Sequence, residues 1–134
     1  MKWNLKRFLI ATPEGVQEVE GYVYKGLGVT LSLGPAGMHA PLWKVTHLGS
    51  GHPLAHLKAQ RDRAVEIATE LAECSDWDFM GLYGWKNRDP HVISKVAAIK
   101  ERNPGAFHDL KNVKPRSEDQ AREIMMRNSD MPLT

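Results

Sequence analysis

Leu42-Trp-Lys-Val-Thr-His-Leu48, then Gly49-Ser-Gly51, then the run from Pro53 to Trp77: the reading of this stretch decides the fold. The first seven residues alternate and are rich in β-formers, so they read as a strand. Gly49-Ser-Gly51 reads as a turn. From about Leu54 to Cys74 the spacing predicts one long helix behind Pro53. Leu57, Ala64, Ala68, Leu71 and Ala72, with Val65 alongside, form its apolar stripe, and Glu66, Glu70 and Glu73 occupy the other side. The small alanines permit close approach, so this helix is expected to cover the apolar face of a sheet.

The charges on this segment run against the helix dipole. Lys58, Arg61 and Arg63 come first, and Glu70, Glu73, Asp76 and Asp78 cluster at the end. Such an order costs roughly a few tenths of a kcal/mol per exposed charge. It reads either as a solvated face that tolerates the cost or as a charged end kept for a partner.

Working outward toward the N-terminus, Trp3 to Ala11 reads as a first strand and Pro13-Glu-Gly15 as a turn. Val16 to Tyr24 is a second strand, making a hairpin. Gly26-Leu-Gly28 breaks the pattern, and Val29-Thr-Leu-Ser-Leu33 alternates with Val29, Leu31 and Leu33 on one face. Short strands divided by Gly and Pro turns favour an antiparallel meander, because parallel strands need helical crossovers.

Toward the C-terminus, Ser75–Phe79 and Gly81–Trp85 read as a loop pinned by aromatic residues. Asp89-Pro90 is a helix start with Asp as N-cap and Pro at the first position. Val92, Val96 and Ile99 carry that helix to about Arg102, where Asn103-Pro-Gly105 stops it. Ser117-Glu-Asp-Gln120 is a capping box opening a last helix to about Arg127. The expected architecture is α+β: an antiparallel meander of three to four strands packed on one amphipathic helix, with a helical C-terminal third. The 134 residues read as a single domain, with sheet and main helix in 1–79 and a helical extension in 80–134.

Composition narrows the function classes. Hydrophobic content of 42%, charged content of 25% and a net charge of +2 are those of an ordinary soluble domain, and the charge alone implies no polyanionic partner. The lone Cys74 excludes an internal disulfide and fits a reducing cytoplasm. The Phe8–Ala11 run is too short for a signal sequence, and no stretch approaches the roughly 20 apolar residues needed to cross a bilayer. A cytoplasmic protein without a membrane partner is expected.

Four of the six histidines lie between His39 and His56. His52 and His56 have the i, i+4 spacing of zinc ligands, but Pro53 sets His52 outside the helix and no cysteine is near, so turn and surface histidines are the plainer reading. Asp89, His91, Asn103 and His108 hold the letters of a His-Asn-His nuclease, yet fall on a helix and its exit rather than on a ββα metal unit. Cys74 beside acidic residues is expected to have a raised pKa, which argues against a nucleophile. Ser50 lacks the Gly-x-Ser-x-Gly pattern, and no glycine-rich phosphate loop precedes a helix. No catalytic residue, metal or cofactor is assigned. Lys86, Arg88, Lys95, Lys100, Arg102, Lys111, Lys114 and Arg116 stand against only Asp89, Glu101 and Asp109, a charge type suited to phosphate contact and equally common on solvated surfaces.

At Trp43-Lys-Val-Thr-His47, Ser50-Gly51 and the Ala64–Ala72 helix ending in Asp76-Trp77, the chain resembles small uncharacterised proteins encoded by bacteriophages and prophages. The resemblance covers about a third of the chain, implies a phage or mobile-element origin and transfers no active site. Strands followed by one amphipathic helix also look like the sheet-plus-helix DNA-binding domains of integrase arms and plant AP2 factors. Their groove-reading sheet face needs several Arg or Lys, where Val29–Leu33 and Leu42–Leu48 supply only Lys44. The expected function is therefore a small non-enzymatic binding protein that docks on a host or defence protein. Trp77, Phe79, Tyr83 and Trp85 are the candidate contact residues, because aromatics dominate interface energetics. Core anchoring is the competing role for them. Nucleic-acid binding through the 86–116 segment is the second expectation, and a metal-dependent enzyme using the histidines the third.

Overall fold

A computed structural model describes residues 2–32, 41–77, 90–108 and 115–129. It shows an α+β protein in which five consecutive strands pair antiparallel in the order of the chain. These are β1 (Asn4–Thr12), β2 (Gly15–Tyr24), β3 (Leu27–Ser32), β4 (Leu42–His47) and β5 (Pro53–Lys58). Three helices follow: α1 (Arg61–Glu73), α2 (Pro90–Arg102) and α3 (Glu118–Ser129).

The long helix expected from Leu54 to Cys74 is corrected here. Its first part falls in β5 (Pro53–Lys58), and the helix begins at Arg61. The apolar spacing that ran Leu57 into Ala64 crosses a strand-to-helix junction. Five of the six β5 residues are buried, so the strand shows none of the apolar–polar alternation that marks a half-exposed one. The correction adds a fifth strand to the meander and removes the helical His52–His56 pair. Ala64, Ala68, Leu71 and Ala72 do face the core, joined by Ile67.

Register assigns the two faces. Leu27, Val29, Val45, Ala55 and Leu57 pack with Trp3, Ile67, Ala68, Leu71 and Ala72, so α1 lies on the face those strand residues share. Leu31 shares that face, yet is exposed. The opposite, concave face is closed over by β1 itself: Phe8, Ile10 and Leu48 form a second cluster with Val19 and Val23 against it. Gly28 makes that approach possible, because a Cβ there would sit 2.7 Å from Phe8 Cζ. The β2–β3 hairpin turns at Lys25-Gly26, with φ of 51° and 85°, the left-handed pair that a two-residue turn requires.

Both edges of the sheet are engaged by the C-terminal third. At β5 the Lys58 N–H donates to the Ala106 carbonyl at 2.6 Å and the His108 N–H to the His56 carbonyl at 2.9 Å. At β1 the Asn128 carboxamide accepts from the Leu9 N–H at 2.8 Å and donates to the Leu9 carbonyl at 3.1 Å. Its Nδ2 also donates to the Leu48 carbonyl. Asn103 ties α2 to α1, accepting from Arg63 and donating to Glu70 and to the Ile99 carbonyl. At the start of α3 the Gln120 N–H donates to Ser117 Oγ at 3.2 Å, as the capping box requires.

Candidate functional site

Trp77 is in the core, 1% exposed, with its indole N–H donated to the Leu71 carbonyl at 2.7 Å. Its burial corrects its candidacy as a contact residue and gives it the anchoring role. Phe79, Tyr83 and Trp85 lie outside the described residues, as do Lys86, Arg88, Lys111 and Lys114. Lys95 and Lys100 are exposed on α2, and Arg102 faces Glu70 at 3.5 Å. Arg116 is drawn elsewhere, donating to the Pro13 carbonyl in the β1–β2 turn.

The acidic end of α1 has internal partners. Glu73 accepts from Lys2 at 2.5 Å and from the Tyr24 hydroxyl at 3.1 Å. Those hydrogen bonds, Lys2 first, hold its carboxyl below the usual value. Glu70 is met by Arg102 and Asn103. The charge order that opposed the helix dipole is thus matched from outside the helix. Cys74 does have a raised pKa, but burial is the first cause.

Among the described residues no three His, Cys, Asp or Glu side chains gather as metal ligands. Of the nuclease letters, Asp89 lies outside the described residues, His91 is exposed and Asn103 serves α1 and α2. His47 and Ser50 do come together, both 0% exposed. The Trp77 carbonyl, 2.9 Å from His47 Nε2, can only accept, so Nε2 carries the proton. Nδ1 then accepts the Ser50 hydroxyl at 2.7 Å. A hydroxyl, an imidazole and an orienting carbonyl in series are the connectivity of a nucleophile and its base. Enclosed on every side, they lock the β4–β5 turn onto Trp77 instead.

An accessible arrangement lies on the α1 side of the sheet. Trp3, Tyr22, Val29 and Trp43 from four successive segments meet Arg61, Ala64, Val65 and Ala68 of α1 around a shallow apolar groove whose enclosed space, about 10 Å³, is that of one water. Alanines at 64 and 68 leave this space, since a larger side chain at either would fill it. The indoles are fixed: Trp3 Nε1 donates to Thr69 Oγ1 at 2.9 Å and Trp43 Nε1 to the Ala59 carbonyl at 3.0 Å. The Arg61 guanidinium lies 5.5 Å from the Tyr22 ring centre and donates to its hydroxyl at 3.2 Å. Leu5, paired across from Tyr22, is 57% exposed, and Leu31, across from Trp43, is 65% exposed. Sequence reading missed this site because its residues are scattered from Trp3 to Ala68. The available signal was the aromatic and leucine content of the α1-facing positions once register is known. No family model, curated protein or solved structure matches this chain.

Proposed function

We propose that this chain is a non-enzymatic binding protein that docks on another protein through the groove between α1 and the sheet. The observation that carries this reading is the pair of exposed leucines, Leu5 and Leu31, flanking a cleft walled by Tyr22, Trp43 and Arg61. Aromatic and arginine side chains around a desolvated centre are what interface hot spots are made of, and the indoles, already held by hydrogen bonds, lose little entropy on binding. The resemblance to phage-encoded proteins directs the reading to a host or defence protein of the cytoplasm.

Immobilised protein should capture one stoichiometric partner from a bacterial host lysate. Leu31→Asp and Trp43→Ala, each checked for native circular dichroism, should lose it. Recovery of no stoichiometric partner, or equal capture by both variants, would remove the docking reading. A second reading rests on the exposed Lys95 and Lys100 of α2: contact with nucleic-acid phosphates. It requires a mobility shift at low salt that fades steeply as salt rises.

A further inference from the structure

In an antiparallel pair, alternate residues of an edge strand point their N–H and C=O groups away from the partner strand. Leu9 is such a residue, because both its backbone groups reach Asn128. Ala11 is another, its carbonyl accepting from Lys44 Nζ at 3.1 Å. The β1–β2 register is one-to-one from Asn4 to Thr12, so Leu5 and Arg7 share this outward parity. Among the described residues no backbone group pairs with theirs. Among the described residues the edge of β1 is therefore capped at Leu9 and Ala11 and open at Leu5 and Arg7, while the β5 edge is paired with 106–108. Four outward groups two residues apart match the repeat of an extended strand.

We propose that this open half-edge is a strand-addition site for an extended segment of another protein, with an apolar residue opposite Leu5 and a carboxylate opposite Arg7. The proposal rests on the docking reading and gives the form of the partner, since Leu5 is paired with Tyr22 of the groove wall. Cross-strand pairing favours opposite charges and matched apolar groups. Arg7 is available for it: its contacts to Glu18 and Glu20 are long, 3.8 and 3.9 Å, between exposed groups, and worth little. A second copy of this chain fits less well. The antiparallel register that uses all four groups sets the apolar Leu5 against the charged Arg7 at both ends of the pair. Setting Leu5 against Leu5 puts Arg7 against Trp3, which precedes the strand.

The test uses the full chain and a capped peptide, Thr-Glu-Glu-Val-Thr-Val, with its lysine-for-glutamate counterpart as control. The glutamate peptide should bind saturably and slow amide exchange at Leu5 and Arg7, and the lysine peptide should not. Leu5→Pro and Arg7→Pro each delete an outward N–H without touching the β1–β2 ladder, and each should weaken binding roughly tenfold. No binding, equal binding of both peptides, or binding without protection of those amides would overturn the site. So would dimerisation in sedimentation that Leu5→Pro abolishes, which would assign the edge to a second copy. Should Leu31→Asp release the lysate partner while Arg7→Pro retains it, the groove stands and the edge falls. Should neither release it, the docking reading falls too.

Discussion

Lys44 is the residue whose place in the fold is furthest from its chemistry. It projects from β4 into the concave face between Thr30 of β3 and His56 of β5, 8% exposed, with Ala11 O as its hydrogen-bond acceptor. Burial lowers its pKa from the ordinary 10.5. A lowered lysine pKa means the folded chain releases its proton before the unfolded chain does. Stability attributable to Lys44 therefore rises with pH between the depressed folded value and 10.5, and is flat on either side of that window. Lys44→Met keeps the volume and removes the titration. Urea denaturation of both proteins across this alkaline range should show the wild type gaining on the variant as pH rises. Parallel curves would mean that Lys44 keeps its ordinary affinity for protons. Sequence alone placed Lys44 on a strand, as the one cation there that a groove-reading face could use; its burial is not legible locally, because it depends on β1 folding across the sheet.

Local pattern carried most of the elements, and its one failure has a physical cause. Strands β1 to β4 are rich in β-formers and divided by Gly or Pro turns, α2 starts at Pro90, and α3 starts behind Ser117 as a capping box requires. In β5 both faces are buried, so a strand rich in Leu, Ala and His offers no period of two. Its Leu57 falls by coincidence one heptad before Ala64. Gln60, at the true helix start, makes no side-chain cap that would have marked the boundary. Joints between elements are equally invisible to pattern, and Asn103 is one. Beyond the end of α2 its side chain accepts from Arg63 at 2.7 Å and donates to the Ile99 carbonyl at 2.8 Å. Asn103→Ala should cost about 1–3 kcal/mol in thermal or urea unfolding. Amide exchange across Val92–Ile99 should accelerate more than exchange in β1 and β2. Uniform acceleration would show that α2 is not held through this joint.

The whole molecule is a meander whose edges are engaged by chain that comes much later. Strand order alone leaves β1 and β5 open, and an open edge invites association. Residues 106–108 close β5, and α3 reaches β1 through the Asn128 carboxamide and the packing of Ile124 on Leu9 and Ala11, long-range contacts that no local signal announces. The docking groove is legible only at this scale as well, since four segments and a helix assemble it. Asn128→Ala tests the closure. It leaves the Leu9 N–H, the Leu9 carbonyl and the Leu48 carbonyl without their partner, three backbone groups beside a buried side chain. Loss of such pairing should lower the unfolding free energy by about 2–4 kcal/mol. It also lengthens the open run of the edge from Leu5–Arg7 to Leu5–Leu9, so sedimentation should show concentration-dependent association that the wild type lacks. Adding Arg7→Pro to Asn128→Ala should suppress that association by interrupting the edge at an outward donor, without restoring the lost stability. Association that survives the proline would place the sticky surface elsewhere, with the exposed leucines of the groove the next to be substituted.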